Sequence, residues 1–223
     1  MILDIVQYSQ EWVDEHIARV TSSEFCKIVN PKCEPVDTDK RRNFLFEKAG
    51  EAYSKHRAEE RYVSWEMKEG IRKEPIAADD YAERFGVTLD RIGFVITRDG
   101  KLGASPDRII RGREGELVEI KCPTMGVHMR YLNAAAEGRL AALEEHKDYF
   151  QQVQGQLLVG AEDGFKRVHW YSWHPFLPPV HQTIERNVRY MQKMEGHLRK
   201  FLADMEVITN RVHKATFEER MTC

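Results

Sequence analysis

The sequence has few cysteines, and they are scattered along the chain. Cys26, Cys33, Cys122 and Cys223 form no C-x-x-C pair, the spacing that is typical of zinc knuckles and of thioredoxin-type redox sites. Four cysteines are enough to bind an iron–sulfur cluster, but isolated thiols are typical of proteins in a reducing cytosol. We therefore expect free thiols.

Long apolar runs and net charge are also lacking. Every uninterrupted apolar stretch is far shorter than the roughly 18 residues of a transmembrane helix, and the chain begins MILDIV, without the basic and apolar regions of a secretory signal. We expect a cytoplasmic protein with no membrane partner. The net charge of −2, from 34 basic and 36 acidic residues, gives no global sign of a nucleic-acid partner. Any charge that attracts DNA must therefore be local.

What is present is an ordinary globular composition, with 42% hydrophobic and 31% charged residues among 223. This size fits a single domain over residues 1–223. The part up to about residue 90 predicts mainly helices, and the part from about residue 91 to 223 predicts strands with flanking helices. We predict an α/β (α+β) fold with a central mixed β-sheet flanked by helices.

Three predicted strands cover about residues 92–97, 102–111 and 117–121, and the Asp99-Gly100 pair predicts a hairpin turn between the first two. The three strands predict an antiparallel meander. The remaining predicted elements are a helix at 126–160, a strand at 167–173, a proline-rich loop at 175–179, a strand at 180–184 and a helix at 187–209.

Two acidic residues and a lysine stand out on the second and third of these strands. Because alternate side chains of a strand share a face, Glu119 and Lys121 point one way, while Val118 and Ile120 point into a core. Asp107 lies on the preceding antiparallel strand, so the two carboxylates converge. A charged pair on an apolar strand is costly unless the charges have a use. The alternative is a surface ion pair on an edge strand.

Two converging carboxylates beside a lysine are the groups that metal-assisted phosphodiester hydrolysis needs. Asp107 and Glu119 would hold one or two Mg²⁺ ions, with the backbone carbonyl of Ile120 facing the metal. Lys121 would orient or deprotonate the attacking water, or stabilise the charge of the transition state.

Three further features favour this interpretation, each with a structural alternative. Glu74, on a helix before the sheet, is either a third carboxylate of the site or a solvated residue at a helix kink. Ser105 belongs to a run of small residues before Asp107 that either admits a phosphate or marks a strand bend. Gln152 and Gln154 on an apolar helix either contact a phosphate or metal-bound water, or form a polar helix edge.

Several short segments occur in a characteristic order along most of the chain. They are Trp12…Val20-Thr-Ser-Ser-Glu24, Gly70…Glu74-Pro-x-Ala77, Ser105-Pro106-Asp107, Glu119-Ile-Lys121-Cys-Pro, Gln152-Val-Gln154 and Ile184-Glu-Arg-Asn187…Tyr190-Met191. Together they resemble the YqaJ-type viral recombinases, the family of phage lambda exonuclease within the PD-(D/E)xK nuclease superfamily.

The resemblance implies a restriction-endonuclease-like core and a metal-dependent deoxyribonuclease, with Mg²⁺ as its ion and Mn²⁺ as the alternative. It implies 5′→3′ digestion of one strand of linear double-stranded DNA, which leaves a 3′ overhang for recombination by single-strand annealing. It also implies a ring-shaped homotrimer around the DNA, a single-strand annealing protein as partner, and the cytoplasm of a bacterial or phage-infected cell.

The resemblance also implies roles by position. Asp107 and Glu119 would be the metal ligands, assisted by the Ile120 carbonyl, while Lys121 would activate the nucleophilic water and Glu74 would support the site.

At the 5′ end, the resemblance implies a phosphate pocket and nearby lining residues, namely Ser23, Ser105 and either Gln152 or Gln154. The family usually has an arginine four residues after Trp12, where it grips the 5′-phosphate. This sequence has His16 there, and Arg19 is the nearby candidate to replace the arginine. The strength of the 5′-phosphate preference is therefore open.

Two other function classes remain. One is a different PD-(D/E)xK nuclease, either an endonuclease or a CRISPR-adaptation type; the latter usually has four clustered cysteines, which the spacing here does not fit. The other is a non-catalytic DNA-binding module, against which the presence of Asp107, Glu119 and Lys121 together argues. His169 and His174 have no metal-ligand context, and we expect both to be structural.

Overall fold

The computed structural model describes residues 1–36, 38–58, 64–139 and 146–222, with side chains as far as residue 216. Residues 61–63 of the predicted N-terminal helical part and residues 140–145 of the predicted helix at 126–160 lie outside the described residues, as does Cys223. The other three cysteines are free thiols. Within the described part of the chain, no helix is long and apolar enough to span a lipid bilayer.

The main sheet has five strands in the order β3-β6-β7-β8-β9. Only the β7–β8 pair among them is parallel. The central position of β7 matters for function, because it carries the Glu119-Ile120-Lys121 segment. The strands are β3 (Leu89–Arg91), β6 (Arg108–Ile110), β7 (Glu116–Lys121), β8 (Arg167–His174) and β9 (Leu177–Glu185).

A second, smaller sheet has the order β1-β4-β5-β2. Its strands are β1 (Ile2–Leu3), β2 (Val20–Thr21), β4 (Phe94–Ile96) and β5 (Leu102–Ala104). The predicted strand at 102–111 is therefore wrong as one unit, since β5 and β6 belong to different sheets. The chain crosses between the sheets at residues 105–107, where Pro106 has no N–H to pair in a ladder.

The helices surround these sheets. They are α1 (Gln10–Glu15), a 3-10 helix (Ser22–Lys27), α2 (Asp39–Ser54), α3 (Trp65–Phe85), α4 (Met125–Ala136), α5 (Lys147–Val159) and α6 (Val188–Thr222). Thr21 and Glu24 form a capping box at the start of the 3-10 helix. The helix α3 runs through Pro75 without a restart, and α6 extends beyond the predicted end at residue 209.

The proline-rich loop predicted at 175–179 is wrong, because Pro178 and Pro179 belong to β9. This strand lies at the edge of the sheet, where a missing N–H does not break a ladder. The predicted fold class is confirmed: a mixed sheet lies between helices.

The two faces of the main sheet pack against different helices. On one face, Leu117 and Trp170 join the main core with residues of α5 and α6. On the other face, Val118 and Ile120 pack under α3 against Tyr81. The predicted alternation of side chains along β7 is therefore correct, and both faces of that strand are covered.

Candidate active site

Glu119 lies in the middle of the main sheet, on the face that packs against α5. It is buried, with 2% of its surface exposed. The Lys121 ammonium donates a hydrogen bond of 2.5 Å to Oε1 of Glu119. A surface ion pair on an edge strand is therefore excluded, and the cost of burying Glu119 requires further partners.

Those partners are two amides of α5. Gln152 donates to Oε1 of Glu119 at 2.8 Å, and Gln156 donates to Oε2 at 2.6 Å. The two glutamines are four residues apart, so they share one face of the helix. Gln154 lies on another face, where its amide bonds the carbonyl of Glu185 and the N–H of Asn187 at 2.8 Å each.

The structure thus brings Gln152 to Glu119 but does not bring Gln154 there. The prediction for Gln154 is wrong because its side chain closes the junction between β9 and α6 instead. Sequence analysis missed Gln156, although the four-residue spacing from Gln152 was the signal that identifies it.

Asp107 lies immediately before β6 and reaches across to β7. Its Oδ2 accepts a hydrogen bond of 2.6 Å from the backbone N–H of Ile120. Burial raises the pKa of Asp107 well above its usual range, and the carboxylates of Glu119 and Glu74 raise it further, against the opposing effect of Lys121. The site therefore concentrates negative charge.

Lys121 is the cation of this cluster. Burial disfavours its charged form, but the carboxylates of Glu119 and Asp107 outweigh that effect and raise the pKa of Lys121. Its Nζ also lies 4.9 Å from the centre of the Tyr149 ring, a distance at which an ammonium and an aromatic face attract. Lys121 is therefore a positive charge at the side of the two carboxylates.

Glu74 reaches the same pocket from α3 but is already paired. Its Oε1 accepts a hydrogen bond of 2.7 Å from Arg108, which also donates to the backbone carbonyl of Asp107 at 2.6 Å. Arg108 is buried, and sequence analysis did not single it out, although it directly follows Asp107. The ion pair occupies Oε1 of Glu74, so the role predicted for Glu74 as a ligand would fall to its other oxygen, Oε2.

A pocket of about 690 Å³ opens over these groups. Part of its lining is formed by the carboxylates, Lys121 and residues of α3 and α5. A second part is formed by the N-terminal segment, α1, the start of the 3-10 helix and the segment between β5 and β6. The residues of that second part are Gln7, Tyr8, Trp12, His16, Thr21, Ser22, Ser23 and Ser105.

The pocket therefore contains His16, Ser23 and Ser105, three of the residues predicted at the 5′-phosphate. The His16 ring packs between the rings of Trp12 and Phe94, with centroid distances of 3.8 and 4.5 Å. Its Nδ1 donates to the carbonyl of Trp12 at 2.7 Å, because a carbonyl can only accept. The indole N–H of Trp12 in turn donates to Oγ of Ser105 at 2.9 Å.

Arg19 is not part of this pocket. Its guanidinium pairs with Glu15 at 2.6 Å and donates to the carbonyl of Gly100 at 2.8 Å. It does not line the cavity. The prediction that Arg19 replaces the missing arginine is wrong, because these contacts hold it at the hairpin between β4 and β5.

The two histidines that were predicted to be structural lie in different places. His174 lines the pocket, and its Nδ1 accepts a hydrogen bond of 3.3 Å from the backbone N–H of Phe176. His169 lies away from the pocket, with Nε2 3.1 Å from Glu116 and Nδ1 3.1 Å from His181.

The oxygen donors of the site fit a hard divalent cation such as Mg²⁺. Asp107 and Glu119 supply carboxylates, and the raised pKa of Asp107 reports negative charge that a cation would offset. Among the described residues, no group of three or more His, Cys, Asp or Glu side chains forms a ready metal cluster. An ion here would therefore be held by these two carboxylates, the Ile120 carbonyl and water.

Comparison with protein families gives one match. The model of the YqaJ-like viral recombinase domain matches residues 11–163, which is more than half of the chain. The chain belongs to this family. The matched range includes Asp107, Glu119 and Lys121 and most other residues that line the pocket of this YqaJ-like domain, while Gln7, Tyr8 and His174 of the lining lie outside it. No curated protein is similar enough to the chain to count as a match.

Solved structures with the same fold agree with that assignment. An alkaline exonuclease from Laribacter hongkongensis has a TM-score of 0.79 at 20% identity, covering 94% of this chain and 99% of that one. A phage-related exonuclease from Haemophilus somnus 129PT has a TM-score of 0.66 at 14% identity, covering 87% and 96%. At these identities the likeness establishes the PD-(D/E)xK-type fold.

Proposed function

We propose that this YqaJ-like protein is a metal-dependent DNA exonuclease that digests one strand of linear duplex DNA from its 5′ end. The observation that carries the proposal is that the cluster of Asp107, Glu119 and Lys121 lines the same pocket as His16 and Ser105. Family membership and the exonuclease names of the structural neighbours support it.

The part of the pocket lined by the carboxylates and Lys121 has the groups for phosphodiester hydrolysis. Asp107, Glu119 and the Ile120 carbonyl would hold Mg²⁺ or Mn²⁺, in one or two ions, and such an ion polarises the phosphate and lowers the pKa of bound water. Gln152 and Gln156 hold the Glu119 carboxylate in place. Lys121 orients the attacking water and stabilises negative charge at the phosphate as a cation.

The second part of the pocket lining accounts for the direction of digestion, from the 5′ end towards the 3′ end. Hydroxyl groups of Ser23 and Ser105 and the imidazole of His16 bind the 5′-terminal phosphate of the digested strand. Since these residues and the carboxylates line one pocket, a strand held by its terminal phosphate presents its first phosphodiester bonds to the carboxylates. Digestion then leaves a 3′ single-stranded overhang for recombination by strand annealing.

Family membership supports a proposal for the assembly and the partners. We propose a homotrimeric ring that encloses the duplex, and a single-strand annealing protein that binds the exposed 3′ strand in the cytoplasm of a bacterial or phage-infected cell. Enclosure reduces the need for a strongly basic surface, which agrees with the net charge of −2.

The test is a time course on linear duplex DNA that carries a label at the 5′ or the 3′ end. In Mg²⁺ or Mn²⁺, we expect early release of the 5′ label and shortening of one strand only, and no digestion in EDTA. Covalently closed plasmid serves as the control for an endonuclease. Cutting of closed plasmid into discrete products, or digestion in EDTA, would contradict the proposal.

A further inference from the structure

Tyr8 has an unfavourable backbone conformation beside the candidate active site. Its φ is +68°, in the left-handed region that glycine adopts readily and a tyrosine rarely does. Such a conformation persists only where the surrounding structure holds it, and these positions cluster at functional sites.

Both neighbours of Tyr8 are anchored. The Gln7 amide donates to the carbonyls of Ile92 and Pro106, at 3.0 and 2.9 Å. On the other side, the Ser9 hydroxyl caps α1 by accepting from the N–H of Trp12 at 3.2 Å. These bonds tie the segment to the turn before Asp107 and to the start of α1, so the backbone is held on both sides of Tyr8.

The Tyr8 side chain lies over the pocket. Its ring packs against Trp12 with a centroid distance of 5.3 Å, and the residue lines the cavity that holds Asp107, Glu119 and Lys121. Tyr8 is 56% exposed, so packing into a core does not explain its position. Its hydroxyl has no hydrogen-bond partner among the residues that the structure describes.

The surroundings of the hydroxyl keep it protonated. Partial desolvation of the side chain, followed by the carboxylates of Glu74 and Asp107, raises the pKa of Tyr8 to about 12. A phenol in this position remains a hydrogen-bond donor at any pH where the protein works. A neutral donor suits a pocket in which carboxylates repel a phosphate.

We propose that Tyr8 binds the DNA strand, with its hydroxyl donating a hydrogen bond to a phosphate oxygen at the Asp107–Glu119 cluster. This inference rests on the proposed exonuclease function and adds a substrate-binding residue to it. Gln7 and Trp12 act as positioning residues, because they fix the backbone and the ring of Tyr8. The strained backbone of Tyr8 is thereby explained as the means of aiming the hydroxyl.

The test compares Tyr8→Phe, Tyr8→Gly and the control Tyr53→Phe. The control removes a phenol hydroxyl that contacts Thr216, away from the pocket. Tyr8→Phe keeps the ring, so it separates the hydroxyl from packing. We expect Tyr8→Phe to raise KM for 5′-phosphorylated duplex about tenfold, as loss of one hydrogen bond to a charged group does, with a much smaller change in kcat.

Tyr8→Gly should raise KM at least as much while raising the thermal midpoint, because glycine relieves the positive φ. Binding of a 5′-phosphorylated duplex in Ca²⁺, followed by fluorescence anisotropy, should weaken in both Tyr8 variants and not in Tyr53→Phe. If Tyr8→Phe keeps the wild-type KM and the wild-type binding, the inference about Tyr8 is overturned, while the proposed exonuclease function is not. Failure of the wild-type protein to digest linear duplex would instead overturn the proposed function.

Discussion

The carboxylate of Asp107 is hydrogen-bonded to the backbone of Ile120, with 2.6 Å between Oδ2 and the amide nitrogen. Ile120 stands between Glu119 and Lys121 in β7, so this bond aligns groups from two separate segments. It sets one carboxylate beside the strand that carries the other. The repulsion between Asp107 and Glu119 is thus built into the fold, and it is the property that makes the site suited to a cation.

Asp107→Asn should separate stability from activity. The asparagine side-chain oxygen still accepts from the N–H of Ile120, while the repulsion with Glu119 disappears. In EDTA we expect the free energy of unfolding to rise by about 1 kcal/mol, which corresponds to a thermal midpoint higher by about 2–4 °C for a chain of this size. Digestion of linear duplex in Mg²⁺ should be abolished while DNA binding survives. Wild-type digestion by this variant would remove Asp107 from the proposed metal site.

Gln156→Ala and Gln154→Ala form a matched pair from one helix. Gln156 holds Oε2 of Glu119, and loss of such a supporting bond typically costs about 10–100-fold in activity. Gln154 bonds two backbone groups away from the pocket, so its loss should cost about 1–3 kcal/mol of stability with kcat unchanged. Digestion rates and urea unfolding of both variants measure the difference. The reverse pattern would contradict the assignment of the two glutamines.

His16→Arg should strengthen the preference for a 5′-phosphate. The ring of His16 lies between two aromatic rings in the pocket, and an arginine stacks on such rings while offering a bidentate grip on phosphate. The ratio of kcat/KM on 5′-phosphoryl and 5′-hydroxyl ends should rise by about tenfold, the value of one charge-assisted hydrogen bond. Arg19→Ala is the control, and its ratio should stay at the wild-type value. An unchanged ratio in His16→Arg would place the phosphate elsewhere.

Stability should fall as the pH drops below about 6.5, partly because of His181. Burial, with a smaller effect of His169, lowers the pKa of His181 from 6.5 to about 4. Between these values the unfolded chain binds more protons than the folded one, so stability rises with pH and is lost on acidification. His181→Phe should flatten the dependence of the thermal midpoint on pH between 4 and 6.5. An equally steep dependence in this variant would exclude His181 as a cause.

The sequence was sufficient to predict that Glu119 and Lys121 share one face of β7, because side chains alternate between only two faces along a strand. It placed Gln154 wrongly because the rotation of a helix depends on tertiary contacts. Here α5 lies so close to the 3-10 helix that a Cβ on Gly155 would be 2.8 Å from the Phe25 ring. That contact, which no local pattern reveals, directs Gln152 and Gln156 at Glu119.

Two other features, the change of sheet at Pro106 and the position of Arg19, could not be predicted from local sequence patterns. The change of sheet at Pro106 depends on the strands with which β5 and β6 pair. A local hairpin signal does not specify those pairings. The position of Arg19 follows from the turn before it, where Ala18 has a φ of +59°. The N–H of Ala18 is bonded at 2.9 Å to the buried Glu51 of α2.

The central claim is that Lys121 and the two carboxylates perform hydrolysis at a DNA end. The most direct measurement is release of the label from 5′-labelled linear duplex in Mg²⁺ by the wild-type protein and by Lys121→Ala, with DNA binding recorded in parallel. We predict release by the wild type and no detectable release by Lys121→Ala at preserved binding. Release at the wild-type rate by Lys121→Ala would contradict the account.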